Sequence, residues 1–222
     1  MNEANLLESL QKLGNTAKSL LFGFIKEHAE IETQSIQFLE SACDHIIPGV
    51  VGLFEEEFKR QGKTLKNDLF FSVKLLTKKN DADYSIVTAY RNKKAREVRE
   101  VLVKDYSIEG NTDFREIILG DKPFFLCNDL KNLNGYKNES SDWEERYNAT
   151  VVVPISSNDR QHDADDNILY GMLTVDNLNS EHESDLFNAN HRLILQYAAD
   201  LMAVIFLFVD LNQAVNTSEA VA

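Results

Sequence analysis

The sequence has few cysteines, few positive charges and no long apolar run, and each absence excludes a class of protein. The two cysteines, Cys43 and Cys127, have no CxxC or histidine neighbour, which excludes a zinc or redox motif and predicts reduced thiols. A formal net charge of −13 argues against non-specific nucleic-acid binding, because phosphates would repel the chain. The most apolar windows, Leu20–Ile25 and Leu201–Val209, fall short of the ~20 residues needed to span a bilayer.

The sequence also shows no recognisable targeting signal and no recognisable output domain. The first residues, Met1-Asn-Glu-Ala, lack the basic stretch and apolar core of a signal peptide. Together with the reduced thiols, this predicts a cytoplasmic protein without a membrane span. No kinase, cyclase, phosphodiesterase or DNA-binding segment is recognisable, so we expect any output to reside in a separate protein.

Motifs for catalysis and metal binding are absent. There is no Gly-x-Ser-x-Gly, no His-Glu-x-x-His and no glycine-rich phosphate loop, and the five histidines have no metal-ligand spacing. The stretch that begins at His162 is rich in oxygen ligands, but it lacks the glycine and distal glutamate of an EF-hand loop. The sequence therefore predicts no metal site and no enzyme, and it identifies no cofactor.

Residues 1–47 are predicted to be an N-terminal helical extension that serves dimerisation. Apolar residues recur at alternating spacings of four and three over 6–24, and the stripe resumes over 31–46, as in the seam of a coiled coil or helix bundle. Pro48 suits the first turn of a further helix that runs to about Arg60.

The rest of the chain has strand and helix patterns that predict an α+β fold, in which an antiparallel sheet is flanked by helices. The tail 213–222 is small and polar, and we expect it to be disordered. Strands are predicted at 69–77, 84–91, 121–128, 147–155 and 168–177, and helices at 112–120 and 186–212.

The closing helix carries two apolar stripes. One stripe can cover the sheet, so the other needs a second surface, which the N-terminal helices could supply in the same chain or in a second copy. We predict a homodimer built on the terminal helices, and the competing outcome is a monomer in which the N-terminal helices fold back onto 193–211. The first stripe consists of Phe187, His191, Ile194, Ala198, Leu201, Ile205 and Phe208, and the second of Leu193, Tyr197, Val204, Leu207 and Leu211.

The second half of the chain resembles a GAF domain. A strand with a proline near its end is followed by a Gly-apolar-apolar-x-Val-Asp strand and an amphipathic closing helix. The resemblance covers roughly 45–212 and implies a GAF-like domain at 48–212. The matching elements are Phe70–Leu76, Tyr84–Tyr90, Thr112–Ile118, Val151–Ile155, Gly171–Asp176 and Leu193–Phe206.

The resemblance implies a sensor or regulatory module that binds a small molecule. One alternative is a ligand-free GAF-fold adaptor or structural dimerisation subunit, and another is an enzyme with an unrecognised site. The chain lacks the Asn-Lys…Phe…Asp-Glu signature of cyclic-nucleotide binders, and Cys127 is followed by asparagine, not by the histidine usual in bilin binders. Members that reduce methionine sulfoxide need several cysteines in one site, whereas the GAF-like segment 48–212 contains one cysteine, Cys127.

The resemblance places a pocket between the sheet and the loops on one face. Alternation along 147–155 directs the even positions 148–154 to that face and the odd ones to the main core. Aromatic rings around a few polar groups are typical of small-molecule sites, although they also fill ligand-free cores. The candidate ligand-binding residues are Tyr90, Phe125, Asn128, Trp143, Asn148, Thr150 and Val152.

Three further segments carry expectations. The basic segment 91–100 suits either a phosphate or acidic partner, or a solvated helix supported by i,i+4 pairs. The acidic loop 157–167 is expected to be exposed and mobile. Trp143 and Tyr147 end the polar segment before the central strand, so they are expected to contact the ligand or its lid.

Overall fold

The computed structural model describes the chain in part, and the statements below concern that part. The predictions for the acidic loop 158–167 and for Tyr147 lie outside it. The described residues are 10–11, 14–15, 35–63, 69–80, 83–93, 95, 105–120, 122–140, 143–146, 148–157, 168–177 and 186–219.

Helices precede, interrupt and follow a set of antiparallel strands. In chain order the described elements are α1 Ser35–Arg60, β1 Leu69–Asn80, β2 Asp83–Arg91, β3 Asp105–Ser107, α2 Thr112–Ile118, β4 Phe125–Cys127, α3 Trp143–Arg146, β5 Ala149–Ser157, β6 Ile168–Asn177 and α4 Ala189–Glu219.

The described strands form one six-stranded sheet in the order β3-β2-β1-β6-β5-β4. Every neighbouring pair is antiparallel. In the centre, Ser72 of β1 lies opposite Thr174 of β6, and Val151 of β5 lies opposite Val175 of β6. The predicted α+β fold, an antiparallel sheet flanked by helices, is confirmed.

A glycine permits the close approach of β6 to β1. Gly171 lies opposite Leu75, and a Cβ atom added to it would lie 2.0 Å from the carbonyl oxygen of Lys74. A larger residue would force the backbones apart. The glycine of the Gly-x-x-Thr-Val-Asp motif is thus a structural requirement of the sheet.

Helices α1 and α4 pack together over one face of the sheet. The ring of Phe54 meets that of Phe71 edge-on at 5.4 Å, and α4 packs across β5 and β6. We call this apolar layer the helix-side core. It is centred on Ile46, Ile47, Val50, Phe54, Phe58, Phe71, Val73, Val151, Val153, Ile155, Leu173, Val175, Phe187, Ile194, Leu195, Ala198 and Met202.

A polar network joins the end of α1 to the start of α4. The buried carboxylate of Glu57 accepts hydrogen bonds from Arg60 Nε at 2.8 Å and from Gln61 Nε2 at 3.0 Å. Asn188 Nδ2 and Asn190 Nδ2 donate to it at 3.0 and 3.1 Å. The hydrogen bonds, the one from Arg60 above all, hold the pKa of Glu57 well below its usual range.

The helix α1 differs from its prediction. It passes through Pro48 without a break, so a new helix does not begin there. An interior proline costs a helix about 3 kcal/mol, but Ile46, Ile47 and Val50 on either side are fully buried. Their packing holds the helix together across the predicted domain boundary at 47/48, and the division into domains itself stays a prediction.

The helix α4 also extends beyond its prediction, since it continues to Glu219. The expectation of a disordered tail at 213–222 is therefore wrong as far as that residue. The sequence after Leu211 contains no glycine or proline to end the helix. None of the helices that the structure describes is both long and apolar enough to span a bilayer.

The two apolar stripes of α4 have different surroundings. On the first stripe, His191, Ile194 and Ala198 are fully buried. On the second, Leu193 is 43% exposed and Val204 is 53% exposed. The first stripe is buried as predicted, and the second is exposed at Leu193 and Val204, whereas its residue Tyr197 is half-buried and packs against the helix-side core.

Part of the N-terminal extension lies against α4 of the same chain. Leu10 packs against the helix-side core. Gly14 is buried, and a Cβ atom added to it would lie 2.5 Å from the hydroxyl oxygen of Tyr197. The remaining predictions for residues 1–34 lie outside the described residues.

Candidate functional site

The face of the sheet opposite α1 and α4 carries a second apolar layer, which we call the cleft-side cluster. Helix α2 packs here against β4 and β5. Along β5, Val152 belongs to this layer while Val151 and Val153 belong to the helix-side core, so the predicted alternation is confirmed. The cluster consists of Ile86, Phe114, Ile117, Phe125, Leu130, Tyr136, Val152 and Met172.

A cleft of about 420 Å³, counting the part that opens to solvent, lies beside this cluster. Its enclosed part has room for little more than a water molecule, so a ligand must displace side chains to enter. Strands β1 and β6, helix α2 and the loops around them supply its walls. The lining residues are Lys74, Tyr106, Asn111, Asp113, Phe114, Leu130, Tyr136, Asn138, Ser140, Thr174 and Asp176.

Among the described lining residues, Lys74 supplies the positive charge of the cleft. Alternation along β1 directs this side chain away from the helix-side core, to which its neighbour Val73 belongs. The lysine is almost fully buried. Its Nζ atom lies 4.8 Å from the ring centre of Tyr106 and 5.3 Å from that of Phe114, and 3.4 Å from Thr88 Oγ1.

A buried carboxyl group, that of Asp113, faces this lysine from the first turn of α2. Its Oδ1 accepts a hydrogen bond from the backbone N–H of Phe114 at 3.0 Å. Burial raises the pKa of Asp113 to about 7, the positive charge of Lys74 opposes this shift, and the negative charge of Asp176 adds to it. The group is therefore poised to gain or lose a proton near neutral pH.

The third charged group, Asp176, comes from the end of β6. Its Oδ1 accepts a hydrogen bond from Thr150 Oγ1 at 2.6 Å. Two residues earlier, Thr174 Oγ1 lies 2.6 Å from Ser72 Oγ, across the central strand pair. Hydroxyl groups of three neighbouring strands thus support the lining residues Thr174 and Asp176.

One wall is built by a loop that pairs with the start of α2. The backbone N–H of Thr112 donates to the Lys137 carbonyl at 3.0 Å, and Lys137 N–H donates to Thr112 Oγ1 at 2.8 Å. Asn111 Oδ1 accepts from Glu139 N–H at 3.2 Å. These bonds hold the lining residues Asn138 and Ser140 in place.

Four of the predicted site residues lie on the cleft side without lining the cleft. Phe125 stacks on Tyr136 with ring centres 6.1 Å apart, and Trp143 meets the same ring edge-on at 5.0 Å. Val152 belongs to the cleft-side cluster, and Thr150 donates to a lining carboxylate. They stand behind the lining residues.

The other three predicted residues lie elsewhere. Tyr90 belongs to the helix-side core and donates its hydroxyl to Asp44 Oδ1 at 2.7 Å. Asn128 exchanges two hydrogen bonds with the backbone of Phe187, at 2.7 and 2.8 Å. Asn148 is buried, and its backbone carbonyl accepts from Leu130 N–H at 2.9 Å. The structure does not bring these three into the cleft.

Only 91–93 and 95 of the basic segment 91–100 are described. Arg91 is buried in β2. Asn92 caps the turn that follows, because its Oδ1 accepts from Ala95 N–H at 3.2 Å and its Nδ2 donates to the Leu69 carbonyl at 3.0 Å. The start of the segment therefore has a structural role.

The charged lining residues were missed by sequence reasoning, although two of them carried a signal. Lys74 interrupts an otherwise apolar strand, and Asp176 ends the Gly-x-x-Thr-Val-Asp motif. Asp113 carried none, since an acidic residue in the first turn of a helix is ordinary. Among the described residues, no group of three or more histidine, cysteine, aspartate or glutamate side chains is arranged to hold a metal ion.

Comparisons with known proteins support the architecture. No protein-family model and no curated protein matches the sequence, but solved structures do match in three dimensions. The GAF domain of a phosphoenolpyruvate-protein phosphotransferase from Coxiella burnetii is 15% identical with a TM-score of 0.55, over 96% of this chain and 99% of that one. The chain has a GAF-like fold. A phosphoenolpyruvate-protein phosphotransferase GAF domain from Acinetobacter (11% identical, TM-score 0.50, 93% and 97% covered) also matches this GAF-like domain.

A further structure, described as that of the GAF domain, is 15% identical with a TM-score of 0.53 and covers 89% of this chain and 87% of its own. Identities this low establish the fold alone. The function of the GAF-like domain has to be argued from its own cleft.

Proposed function

We propose that this GAF-like domain is a regulatory module without catalytic activity, which binds a small molecule in the cleft and signals to a partner protein through its terminal helices. The observation that carries the proposal is the set of buried polar groups around an opening. Lys74, Asn111, Asp113 and Thr174 are each at least nine-tenths buried and line the cleft. Burying such groups costs stability, and binding sites are where proteins accept that cost.

The related folds favour a regulatory role. The similar domains from Coxiella burnetii and Acinetobacter are GAF domains of phosphoenolpyruvate-protein phosphotransferases, so each belongs to a larger enzyme. By analogy of fold, the present domain acts on a protein partner. The partner's chemistry is not part of this analogy.

The cleft and the helices share the central strands. On β6, Thr174 and Asp176 line the cleft, while Leu173 and Val175 between them belong to the helix-side core. A ligand that shifts β6 therefore changes the surface on which α4 packs. Close packing on both sides makes such a shift a transition between discrete arrangements.

In this proposal the lining residues contact the ligand. The residues packed behind them support the lining: Phe125, Trp143, Thr150 and Val152. Because Trp143 touches the lining ring of Tyr136, a ligand that moves that ring changes the emission of the chain's only tryptophan.

A thermal-shift screen of a metabolite library with cationic, neutral and anionic members tests the proposal. A ligand at a hundred times its dissociation constant adds about 2.7 kcal/mol of stability, which raises the Tm of a chain this size by roughly 5–10 °C. The variant Lys74→Met should make the ligand-induced rise in Tm either larger or smaller than in the wild type, depending on the charge of the ligand. Lys122→Met, which removes a lysine outside the cleft lining, should not.

If no compound of any charge stabilises the protein, the cleft is not a ligand site. A ligand whose effect is equal in the wild type and in Lys74→Met binds somewhere else. Either outcome contradicts the proposal.

The second candidate is a ligand-free dimerisation subunit. It is favoured by the second stripe of α4, on which Leu193, Val204 and Leu207 are exposed. A homodimer through this stripe is also the way in which the regulatory module would pass its signal to a partner. A screen without any binding compound, together with a particle of twice the 25.3 kDa chain mass, would favour this candidate.

A further inference from the structure

We propose that the cleft takes a small organic cation, an ammonium group on a short apolar body, held between the carboxyl groups of Asp113 and Asp176. The inference rests on the proposed function and specifies the chemical class of its ligand.

The charge of the cleft is the first argument. Among its described lining residues, one lysine and two aspartates are charged, so together these groups carry a formal charge of −1 when both carboxyl groups are ionised. A buried site with an uncompensated charge is costly. One positive charge from a ligand would neutralise it, whereas an anionic ligand would double the imbalance.

The bonding of Asp113 is the second argument. The group is almost fully buried, and the hydrogen bonds that influence it come from backbone N–H groups, with Phe114 N at 3.0 Å. The group lines the cleft, and the positive charge of Lys74 acts on it without offsetting the cost of its burial, so a cation in the cleft would stabilise its ionised form.

The aromatic walls are the third argument. Tyr106 and Phe114 already hold the ammonium of Lys74 at 4.8 and 5.3 Å from their ring centres. This shows that the walls of the cleft accept a positive charge at cation–π distance. The ring of Tyr136 and the side chain of Leu130 supply further surface for a short apolar body.

The narrow enclosed part of the cleft argues for a small ligand.

Proton exchange follows from this arrangement. Without a ligand, the surplus negative charge is relieved by a proton on Asp113, whose pKa is about 7. The charged groups that influence it from the strands are Lys74 on β1 and Asp176 on β6. The hydroxyls of Tyr106 and Tyr136 share the cleft, and the thiol of Cys127 packs against the cleft-side cluster. A cationic ligand takes the place of the proton.

Titration with n-butylammonium chloride, 1-butanol and sodium butyrate tests the inference, because the three share one body and differ in charge. The readout is Trp143 emission, with calorimetry as a second measure and potassium chloride to match ionic strength. We expect n-butylammonium to bind at least about tenfold more tightly than the other two. Its Kd should rise about tenfold from pH 8 to pH 6, as the proton competes for a group with a pKa of about 7.

Two variants should change the affinity for n-butylammonium in directions that only this arrangement predicts. Asp113→Asn should weaken n-butylammonium binding and abolish its pH dependence. Lys74→Met, which removes the competing cation, should tighten it. Glu116→Gln is the matched control, because this carboxylate lies on the same helix but pairs with Lys122 at 2.7 Å outside the cleft; it should leave binding unchanged.

The outcomes separate the two proposals. If an anionic or neutral compound binds, responds to Lys74→Met and competes with no cation, the proposed function stands and this inference is wrong. Tighter butyrate binding or unchanged binding by Asp113→Asn would also overturn it. If no compound of any charge binds, both proposals fail.

Discussion

The two faces of the sheet are both buried, but they bury different chemistry. On the helix side, Phe54, Phe71 and Phe187 pack ring against ring. On the cleft side, Lys74 and Asp113 are buried almost as deeply. The side chains of the apolar layer on the helix side are explained by close packing. The buried charges of Lys74 and Asp113 on the cleft side are not, because apolar side chains would pack there at a lower cost.

The buried polar groups of the two faces also differ in how they are compensated. On the helix side, the carboxylate of Glu57 is bonded by Arg60, Gln61, Asn188 and Asn190. On the cleft side, Asp113 relies on backbone N–H groups, and its pKa rises to about 7. A fully bonded charge indicates a structural role, and an under-compensated charge beside an opening indicates a site.

The largest expected effect is on the helix side, where Phe54 is fully buried between the sheet and α4. Phe54→Ala leaves a cavity among three rings, so it should lower the free energy of unfolding by about 3–5 kcal/mol. Urea denaturation at pH 7 measures this. Phe54→Leu, which fills most of the space, should cost clearly less, and equal losses for the two variants would show that the cavity is not the cause.

The next effect concerns His191, which is fully buried beside Phe54 and Phe58 with ring centres 4.9 and 4.3 Å away. Burial lowers its pKa to about 4 from the ordinary 6.5. The unfolded chain therefore binds more protons between these values, and stability falls as the pH drops from 6.5 to 4. The loss from this group should be on the order of 3 kcal/mol.

Denaturation of His191→Gln over that pH range should show the corresponding part of the acid destabilisation missing. The control is His45→Gln, because His45 is exposed and its Nδ1 donates to the Ser41 carbonyl at 2.7 Å on the surface of α1. Parallel pH profiles for wild type and His191→Gln would contradict the buried neutral ring.

A pH-dependent effect of opposite sign is expected in the cleft. The folded-state pKa of Asp113 is raised to about 7 from 3.8, so the folded protein holds the extra proton between these values and loses stability as the pH rises through them. Asp113→Asn removes this loss and should stabilise the protein at pH 8, on the order of 4 kcal/mol, with little effect at pH 4.

Thermal unfolding at both pH values measures this difference. Glu116→Gln serves as the control and should change the stability by less than about 0.5 kcal/mol, because its pair with Lys122 is on the surface. A loss of stability in Asp113→Asn at pH 8 would mean that the carboxylate is compensated after all, and the contrast between the two faces would disappear.

The sequence predicted the elements with strong periodicity and missed two of the short ones. The strand at 168–177 has the predicted bounds, and alternation in β5 assigned its faces correctly. The strand Asp105–Ser107 and the helix Trp143–Arg146 have three and four residues, too few for a periodic signal. The continuous α1 was missed because local proline chemistry was given more weight than the packing of the residues around Pro48.

The cleft was less predictable than the fold because it depends on which strands are neighbours. Lys74 and Asp176 meet because β1 pairs with β6, a contact between segments that are far apart in the sequence. Periodicity assigns a side chain to a face, but it does not give the order of the strands. Predicted site residues such as Phe125 and Val152 therefore lie in the cleft-side cluster, behind the residues that line the opening.

The smallest effect on stability, and the sharpest on assembly, is expected for the uncovered stripe of α4. Leu193, Val204 and Leu207 are 43%, 53% and 38% exposed, so replacing each by glutamine should change the free energy of unfolding by no more than about 0.5 kcal/mol. If the stripe is the dimer interface, the triple variant should run in light scattering near the 25.3 kDa chain mass, while the wild type runs near twice that value. Leu119→Gln is the control, because this leucine is 62% exposed away from α4 and its loss should leave the mass unchanged. A wild type that stays at the chain mass at every concentration would show that the N-terminal residues around Gly14, which already lie against Tyr197, suffice to cover the helix.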